Sequence, residues 1–429
     1  MLGEIAKVLL KKRILIYGIN YSPELTGIGK YSGELADFFH ASGWEVRVIT
    51  APPYYPDWKV WPAFRASRYL IEDKNGLKVY RAPLWVPQRP SGIKRIIHLL
   101  SFALSSLPLL VMNLRWKPSV VFVVEPPLFC SFNAIAFSKM TGAFSWLHIQ
   151  DFEVDAAFQL GLIKNPLAKR FATAIEKYLM SRFDLVSTIS RRMLALASRK
   201  GVNNKRLVFF PNWVDIAAIK PSHSYTKYRK DLCISENDFV ALYSGNMGAK
   251  QGLDVIGFAA QELMSRSSSE KTVHFIFCGN GASRMELEEM LRGTANVHFL
   301  DLQPVDSLSE LLATADVHLL PQRSDAADLV MPSKLTGMLS SGRATIATAV
   351  EGTEIAQILA EHACGVVVPP GDAHGIVAAI LELANDSYKC AELGKNARAY
   401  AMANLSQEAI LESIEREISN AIKLRGKDA

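Results

Sequence analysis

The residues with the clearest chemical meaning lie in Leu329–Ala349, LVMPSKLTGMLSSGRATIATA. The order is that of a loop, a short helix, a glycine turn and a buried strand. Pro332 fits the last step before the helix, Ser333 can cap it, and Gly342 fits its C-terminal stop. A helix N-terminus carries unpaired N–H groups and a partial positive charge, which attract phosphate. Lys334 adds a full charge at that end. Two turns upstream have related composition. Tyr243–Gly252 (YSGNMGAKQG) follows one apolar run, with Gly245, Asn246 and Gly248 in the turn and Lys250 within reach of an anion. Cys278–Arg284 (CGNGASR) follows the next, with Gly279, Gly281 and Arg284. Three such turns on one sheet edge describe a nucleoside diphosphate site, with Pro332, Ser333 and Lys334 completing it.

A second group of polar residues sits in the first half. Gly18–Lys30 (GINYSPELTGIGK) places Gly27 and Gly29 at the start of a helix, where a backbone can approach a ligand closely. The loop is too long for a dinucleotide fingerprint, and GxGxxG is absent. Asp151, Glu153 and Asp155 follow an apolar strand and would reach a cleft, where one could take a proton from an attacking hydroxyl. A solvated acidic loop is the plainer account of the same three residues. No DxD sequence occurs, so no metal and no other cofactor is expected.

The elements that must position these residues repeat. Arg13–Gly18, Trp44–Thr50, Lys78–Ala82, Val120–Glu125, Phe144–Ile149 and Leu185–Ile189 read as buried strands, with helices such as Tyr31–Ser42 and Leu167–Arg182 between them. A second set comprises Phe239–Ser244, Val273–Cys278, Val297–Leu300, Val317–Leu320, Ala344–Thr348 and Gly365–Val368. Near-continuous apolar strands alternating with helices indicate parallel sheets covered on both faces. The expected fold class is α/β, two doubly wound Rossmann-like domains facing across a cleft. Their boundaries read as 12–210, a polar linker at 211–236, and 237–404, followed by a C-terminal helix in 405–429. Ligands of such sheets bind at the carboxyl ends of the strands, where the motifs fall.

Composition narrows the class. The 429 residues exceed one ordinary core, and 49% hydrophobic with 21% charged residues describes a globular chain. Five cysteines without a CxxC argue against a disulfide framework or zinc site and for a reducing compartment. The opening MLGEIAKVLLKK lacks the order of a secretory signal and reads as a leader to the first strand. Net charge is +6, but Lys59–Lys117 holds eleven Lys/Arg against Glu72 and Asp73. The same window contains an uncharged run from Ile96 to Leu114, flanked by Lys94–Arg95 and Arg115–Trp116–Lys117. A buried helix, a helix at a membrane interface and a true span all fit this run. The flanking cations and tryptophans support an interfacial segment at 93–117. Nucleic acid fits less well, because the cations are interleaved with Leu and Ile.

The pieces YSPELTGIGKYSGELA, PNWVD, YSGNMGAKQGLD, GNGASRMELEEM, ADVHLLP, MPSKL and CGVVVPPGD resemble glycosyltransferase family 4, in the family's order over about residues 13–385. GINYSPELTGIGKY, VRVITAPPYYP, LHIQDFEVDA, VSTISR and PSKLT are closest to the colanic acid biosynthesis fucosyltransferase group. The resemblance implies the GT-B architecture and a retaining sugar transfer. It also implies a GDP-fucose donor and a polyprenyl-diphosphate-linked sugar acceptor, used in exopolysaccharide synthesis at the cytoplasmic membrane face. Lys334 and Asp151 would be catalytic, and Glu153, Asp155, Gly27 and Gly29 would line the acceptor side. The chain departs from the family at three places. The paired glutamates around the phosphate-binding helix are Leu329 and Gly337, with Asp325 or Asp328 as substitutes for the first. The family's Arg and Lys in the 243–252 loop are Asn246 and Gln251. The histidine before Asp151 is Gln150, with His148 two positions earlier. An epimerase or phosphorylase of the same architecture, or a two-lobed sugar-binding protein, are the competing expectations.

Overall fold

The computed structural model describes residues 12–25, 27–88, 91–159, 165–222, 226–248, 251–265, 271–324 and 331–425. It divides into two units, the chain up to Phe210 with the residues from Leu411, and Pro211–Ile410.

The first unit is built on an eight-stranded sheet. In chain order its elements are β1 (Arg13–Tyr17), α1 (Gly27–Ala41), β2 (Glu45–Thr50), β3 (Leu70–Lys74), β4 (Leu77–Arg81), α2 (Gly92–Ser105), α3 (Leu107–Asn113), β5 (Val120–Glu125), α4 (Cys130–Thr141), β6 (Phe144–Ile149), α5 (Glu153–Gln159), α6 (Pro166–Met180), β7 (Leu185–Thr188), α7 (Arg191–Arg199) and β8 (Leu207–Phe209). The strand order is β3-β4-β2-β1-β5-β6-β7-β8. All pairings are parallel except β3 with β4, an edge hairpin. Asn75 and Gly76 both take positive φ in its turn, as a two-residue hairpin loop requires.

The second unit holds α8 (Lys227–Asp231), β9 (Phe239–Ser244), α9 (Leu253–Ser265), β10 (Val273–Cys278), α10 (Arg284–Met290), β11 (Val297–Leu300), α11 (Leu308–Ala313), β12 (Val317–Leu320), α12 (Lys334–Ser340), β13 (Ala344–Thr348), α13 (Glu354–Glu361), β14 (Gly365–Val368), α14 (Ala373–Asn385) and α15 (Ser387–Asn404). Its six strands run parallel in the order β11-β10-β9-β12-β13-β14. Alternate residues of β9 enter different cores. Phe239, Ala241 and Tyr243 pack with α9 and α14, and Val240 and Leu242 with α11, α12 and α13. Both faces of the sheet are therefore dry, which is why its strands read as unbroken apolar runs.

Two boundaries differ from the expectation. Segment 211–236 is not a free linker, because Val214, Ile219, Tyr228 and Ile234 are buried in the second unit's core. The last helix, α16 (Gln407–Arg425), belongs for most of its length to the first unit. Glu415 accepts from Lys12 Nζ at 3.1 Å and Trp44 Nε1 at 2.8 Å, and Arg425 donates to the Ala143 carbonyl at 3.0 Å. These contacts lie at the amino ends of β1, β2 and β6.

Segment 93–117 forms α2, α3 and a short 3₁₀ turn. Its inner face is bonded into the first unit through Ser106 Oγ to Tyr17 Oη at 2.6 Å and Arg47 Nη1 to Asn113 Oδ1 at 2.7 Å. Its outer face exposes Ile93, Ile97, Leu104, Leu107 and Val111.

Candidate active site

In the second unit the strand order reverses between β9 and β12, so the crevice between their carboxyl ends is where a doubly wound sheet takes a ligand. Lys334, the first residue of α12, reaches into it. Its Nζ donates to Tyr243 Oη at 2.9 Å and Gln251 Oε1 at 3.3 Å, and stands 4.3 Å from the centre of the Tyr243 ring. Tyr243 Oη in turn donates to the Asn246 carbonyl at 2.6 Å. Among the described residues, neither partner of the ammonium carries a charge. Burial pushes the lysine down from 10.5 to about 7.

Gly245 takes φ of +130°, and a Cβ there would stand 3.5 Å from Lys334 Cε and Nζ. The strand-end turn thus passes directly over the lysine, which brings Gly245, Asn246 and Lys334 together. Among the described residues, the Gly245 and Met247 amides are used by the Cys278 and Asn280 carbonyls, both at 2.9 Å, whereas those of Asn246 and Gly248 have no backbone partner. Lys250 lies outside the described residues, as do Asp325, Asp328 and Leu329.

Gly279 and Gly281 each lie against a neighbouring turn. A Cβ on Gly279 would lie 2.0 Å from the Gly245 carbonyl oxygen, and one on Gly281 2.5 Å from the Met247 carbonyl. These glycines let two turns pack backbone against backbone. Arg284 clamps the second turn, donating to Asp301 Oδ1 at 2.5 Å, Glu288 Oε1 at 2.7 Å and the Gly279 carbonyl at 3.0 Å. Ser333 does not cap α12 with its side chain. It is already helical, at φ −58° and ψ −25°, and a capping hydroxyl needs an extended backbone to reach back. Pro332 supplies a carbonyl to the Leu335 amide at 3.0 Å, and Gly342 ends the helix at φ +70°. Gly337, at the family's second glutamate position, faces Leu312 and Ile219 in the apolar core.

In the first unit, the loop after β1 is organised by a residue that sequence reasoning passed over. Glu24 is buried and accepts from the Tyr54 amide at 2.9 Å, the Tyr55 amide at 3.0 Å and Asn20 Nδ2 at 2.9 Å. Burial raises its carboxyl above the ordinary range despite those bonds. Gly29 has no side chain because one would meet Glu24 Oε2 at 2.7 Å, and Gly27 opens α1 at φ +60°. Arg81 ties the same loops from below, donating to the Ser22 carbonyl at 2.7 Å and that of Ala51 at 2.9 Å.

The three acids after β6 separate. Glu153 turns inward, its Oε2 accepting the Leu128 amide at 2.8 Å, and burial raises its carboxyl to about 7. Asp155 pairs with Lys200, which also holds the buried Glu176. Both are thus members of an internal cluster and not an exposed acidic lip, as the buried lysine needs paired carboxylates. Glu125, at the end of β5, lies beside them fully buried. Among the described residues neither of its oxygens has a partner. Burial, then Glu176 and Glu153, holds it protonated well above the usual range. Asp151 stays half-buried at the mouth of β6. His148 is no substitute base. Gln150 Nε2 lies 2.9 Å from its Nε2 and Ser187 Oγ 2.9 Å from its Nδ1, and burial lowers it to about 3.

Comparison with known proteins follows the same division. Residues 26–213 match a glycosyl transferase 4-like domain, and 238–386 match glycosyl transferases group 1. The chain is 41% identical over 414 residues to the putative colanic acid biosynthesis glycosyl transferase WcaI of Escherichia coli K12, covering 95% of this chain and 99% of that one. Among solved structures, sucrose-phosphate synthase of Thermosynechococcus elongatus is 17% identical with a TM-score of 0.74, covering 96% of this chain and 100% of that one. Anabaena HepE in complex with UDP is 16% identical with a TM-score of 0.65, covering 95% and 100%. WaaG, a glycosyltransferase involved in lipopolysaccharide biosynthesis, is 17% identical with a TM-score of 0.64, covering 92% and 98%. At these identities the likeness is one of fold, two Rossmann-like domains of the GT-B type.

Proposed function

The chain belongs to glycosyltransferase family 4, and on that footing we propose that it moves a fucosyl residue from GDP-fucose to a polyprenyl-diphosphate-linked sugar. The product would be an intermediate of a colanic-acid-like exopolysaccharide, as the name of its WcaI relative suggests. The observation that carries the reading is Lys334, a buried ammonium whose described partners are neutral, set under a glycine turn at the switch point of the sheet. Among the described residues such a cation has no counter-ion, and a diphosphate would supply one.

The chemistry follows from that placement. As the sugar–phosphate bond breaks, negative charge accumulates on the leaving diphosphate, and the largest demand is its stabilisation. Lys334 meets that charge, with the Asn246 and Gly248 amides beside it, while Gly279, Gly281 and Arg284 hold the turn in shape. The Pro332–Ser333 approach to α12 completes the donor side, and Lys250 is a further donor-binding candidate from the sequence. The acceptor hydroxyl gives its proton to Asp151 or to the departing phosphate itself, and configuration is retained. Gly27 and Gly29, with the Glu24-anchored loop, frame the acceptor side. No metal or other cofactor is required in this scheme.

The enzyme works at the cytoplasmic face of the membrane, held there through 93–117. The outer face of α2 and α3, apolar and flanked by Lys94 and Arg115, supports that location. The test of donor choice is a melting panel with GDP, UDP, ADP and CDP. A ligand at 100 times its dissociation constant adds about 2.7 kcal/mol. A selective response to GDP is expected. A selective response to UDP would discard the fucosyl donor, and no response to any nucleotide would remove the phosphate site itself.

A further inference from the structure

Three helical elements of the first unit lie side by side in one layer. Asn133 of α4 donates to the Ala103 carbonyl of α2 at 2.7 Å. On its other side α4 packs through Ile135 into the cluster that holds Ala172, Ile175 and Leu179 of α6. These helices join β4 to β5, β5 to β6 and β6 to β7, and right-handed connections stepping one way across a sheet fall on one face.

Each turns apolar side chains outward. Beyond the α2–α3 stripe, α4 exposes Phe132 and Met140, and α6 exposes Leu167, Phe171 and Tyr178 at helical spacing. Phe171 is 69% exposed and Leu167 76%. The charge of the layer has one sign. Lys94, Arg115, Lys139, Lys169, Arg170 and Lys177 are exposed on residues 92–117, α4 and α6. The same stretches hold one acid, Glu176, and it is buried against Lys200. Apolar side chains interleaved with cations suit a surface of acyl chains beneath anionic headgroups. A second copy docked face to face would instead bring two sets of cations together with no acid to meet them.

We propose that the whole layer is a docking face for an anionic bilayer, with α6 a second contact beside the 93–117 segment. The proposal rests on the membrane location given above and extends it to residues no part of that reading uses. Three variants of the full chain test it by co-sedimentation with vesicles of phosphatidylcholine containing 30% phosphatidylglycerol. They are Phe171→Ser, the double variant Lys169→Gln/Arg170→Gln, and Leu104→Asp on α2. Each cation near a charged surface is worth roughly fivefold in partitioning, so the double variant should bind about thirty-fold less tightly. Phe171→Ser should also weaken binding, and melting curves identify any variant that fails to fold. All substituted side chains in the double variant are exposed, so it keeps the test open if Phe171→Ser misfolds. If both α6 variants bind like the parent while Leu104→Asp does not, α6 is no contact and the 93–117 reading stands alone. A parent that ignores the vesicles overturns both. Equal binding to pure phosphatidylcholine, or a dimer in light scattering that the α6 variants dissociate, overturns the lipid assignment of this face.

Discussion

Raising the pH from 7 to 9 should cost this protein about fifty-fold in affinity for a nucleoside diphosphate, by proton linkage at one lysine. In the free protein, burial beside neutral partners holds Lys334 at about 7. A bound diphosphate supplies an anion and returns the lysine toward 10.5, its ordinary value. The sign follows directly. Above pH 7 the free lysine is mostly neutral and the bound one charged, so binding takes up a proton and weakens as pH rises. The ligand does not confound this, since a phosphate's second ionisation, near 6, is complete across the range at roughly pH 7 and above. Titration calorimetry at pH 7, 8 and 9, in buffers of different ionisation heat, reads affinity and proton uptake together. Lys334→Met should flatten the profile and weaken binding at pH 7 by at least that fifty-fold, because it removes the charge at every pH. Affinity independent of pH, or a slope that persists in Lys334→Met, would refute the reasoning.

Other consequences are separately measurable. Gly281→Ala puts a methyl 2.5 Å from the Met247 carbonyl at a φ of +155°. It should lower the melting point by several degrees and weaken nucleotide binding, as backbone strain of about 1–3 kcal/mol predicts. A melting point within a degree of the parent would show that the two turns do not pack as described. Glu153 rises from 4.5 to about 7 in the folded chain. The stability it contributes is therefore complete below the lower value and lost as pH climbs through the upper one. Glu153→Gln should flatten that decline in urea midpoints measured between pH 4.5 and 8, and an unchanged slope would remove Glu153 from the acid cluster.

Much of this was legible in the chain because the physics is local. Six strands of the second unit announce themselves as apolar runs, since both faces of that sheet are covered. β3 escaped for the opposite reason. LIEDK is an exposed edge strand with no buried face to pattern it, and only the Asn75–Gly76 turn betrays it. The glycine turns were found, but spacing alone does not separate a glycine that admits a ligand from one that admits a neighbouring loop. Gly279 and Gly281 admit a neighbouring loop, which their spacing did not announce. Long-range partners were invisible. Glu125, Glu153, Glu176 and Lys200 meet only because β5, α5, α6 and the end of α7 converge, and nothing local links them. Ser333 shows a smaller limit, for the residue type suits a cap and the backbone conformation does not allow one.

The central claim is sugar transfer from a nucleoside diphosphate with the charge of the leaving group met at Lys334. The most direct measurement supplies labelled GDP-fucose and a polyprenyl-diphosphate-linked sugar, then follows both the lipid product by mass and the released GDP. One deoxyhexose added per lipid and one GDP released per transfer are expected, with neither product from Lys334→Met despite a normal melting curve. Turnover of the nucleotide sugar without acceptor, dependence on free phosphate, or full activity in Lys334→Met would contradict it.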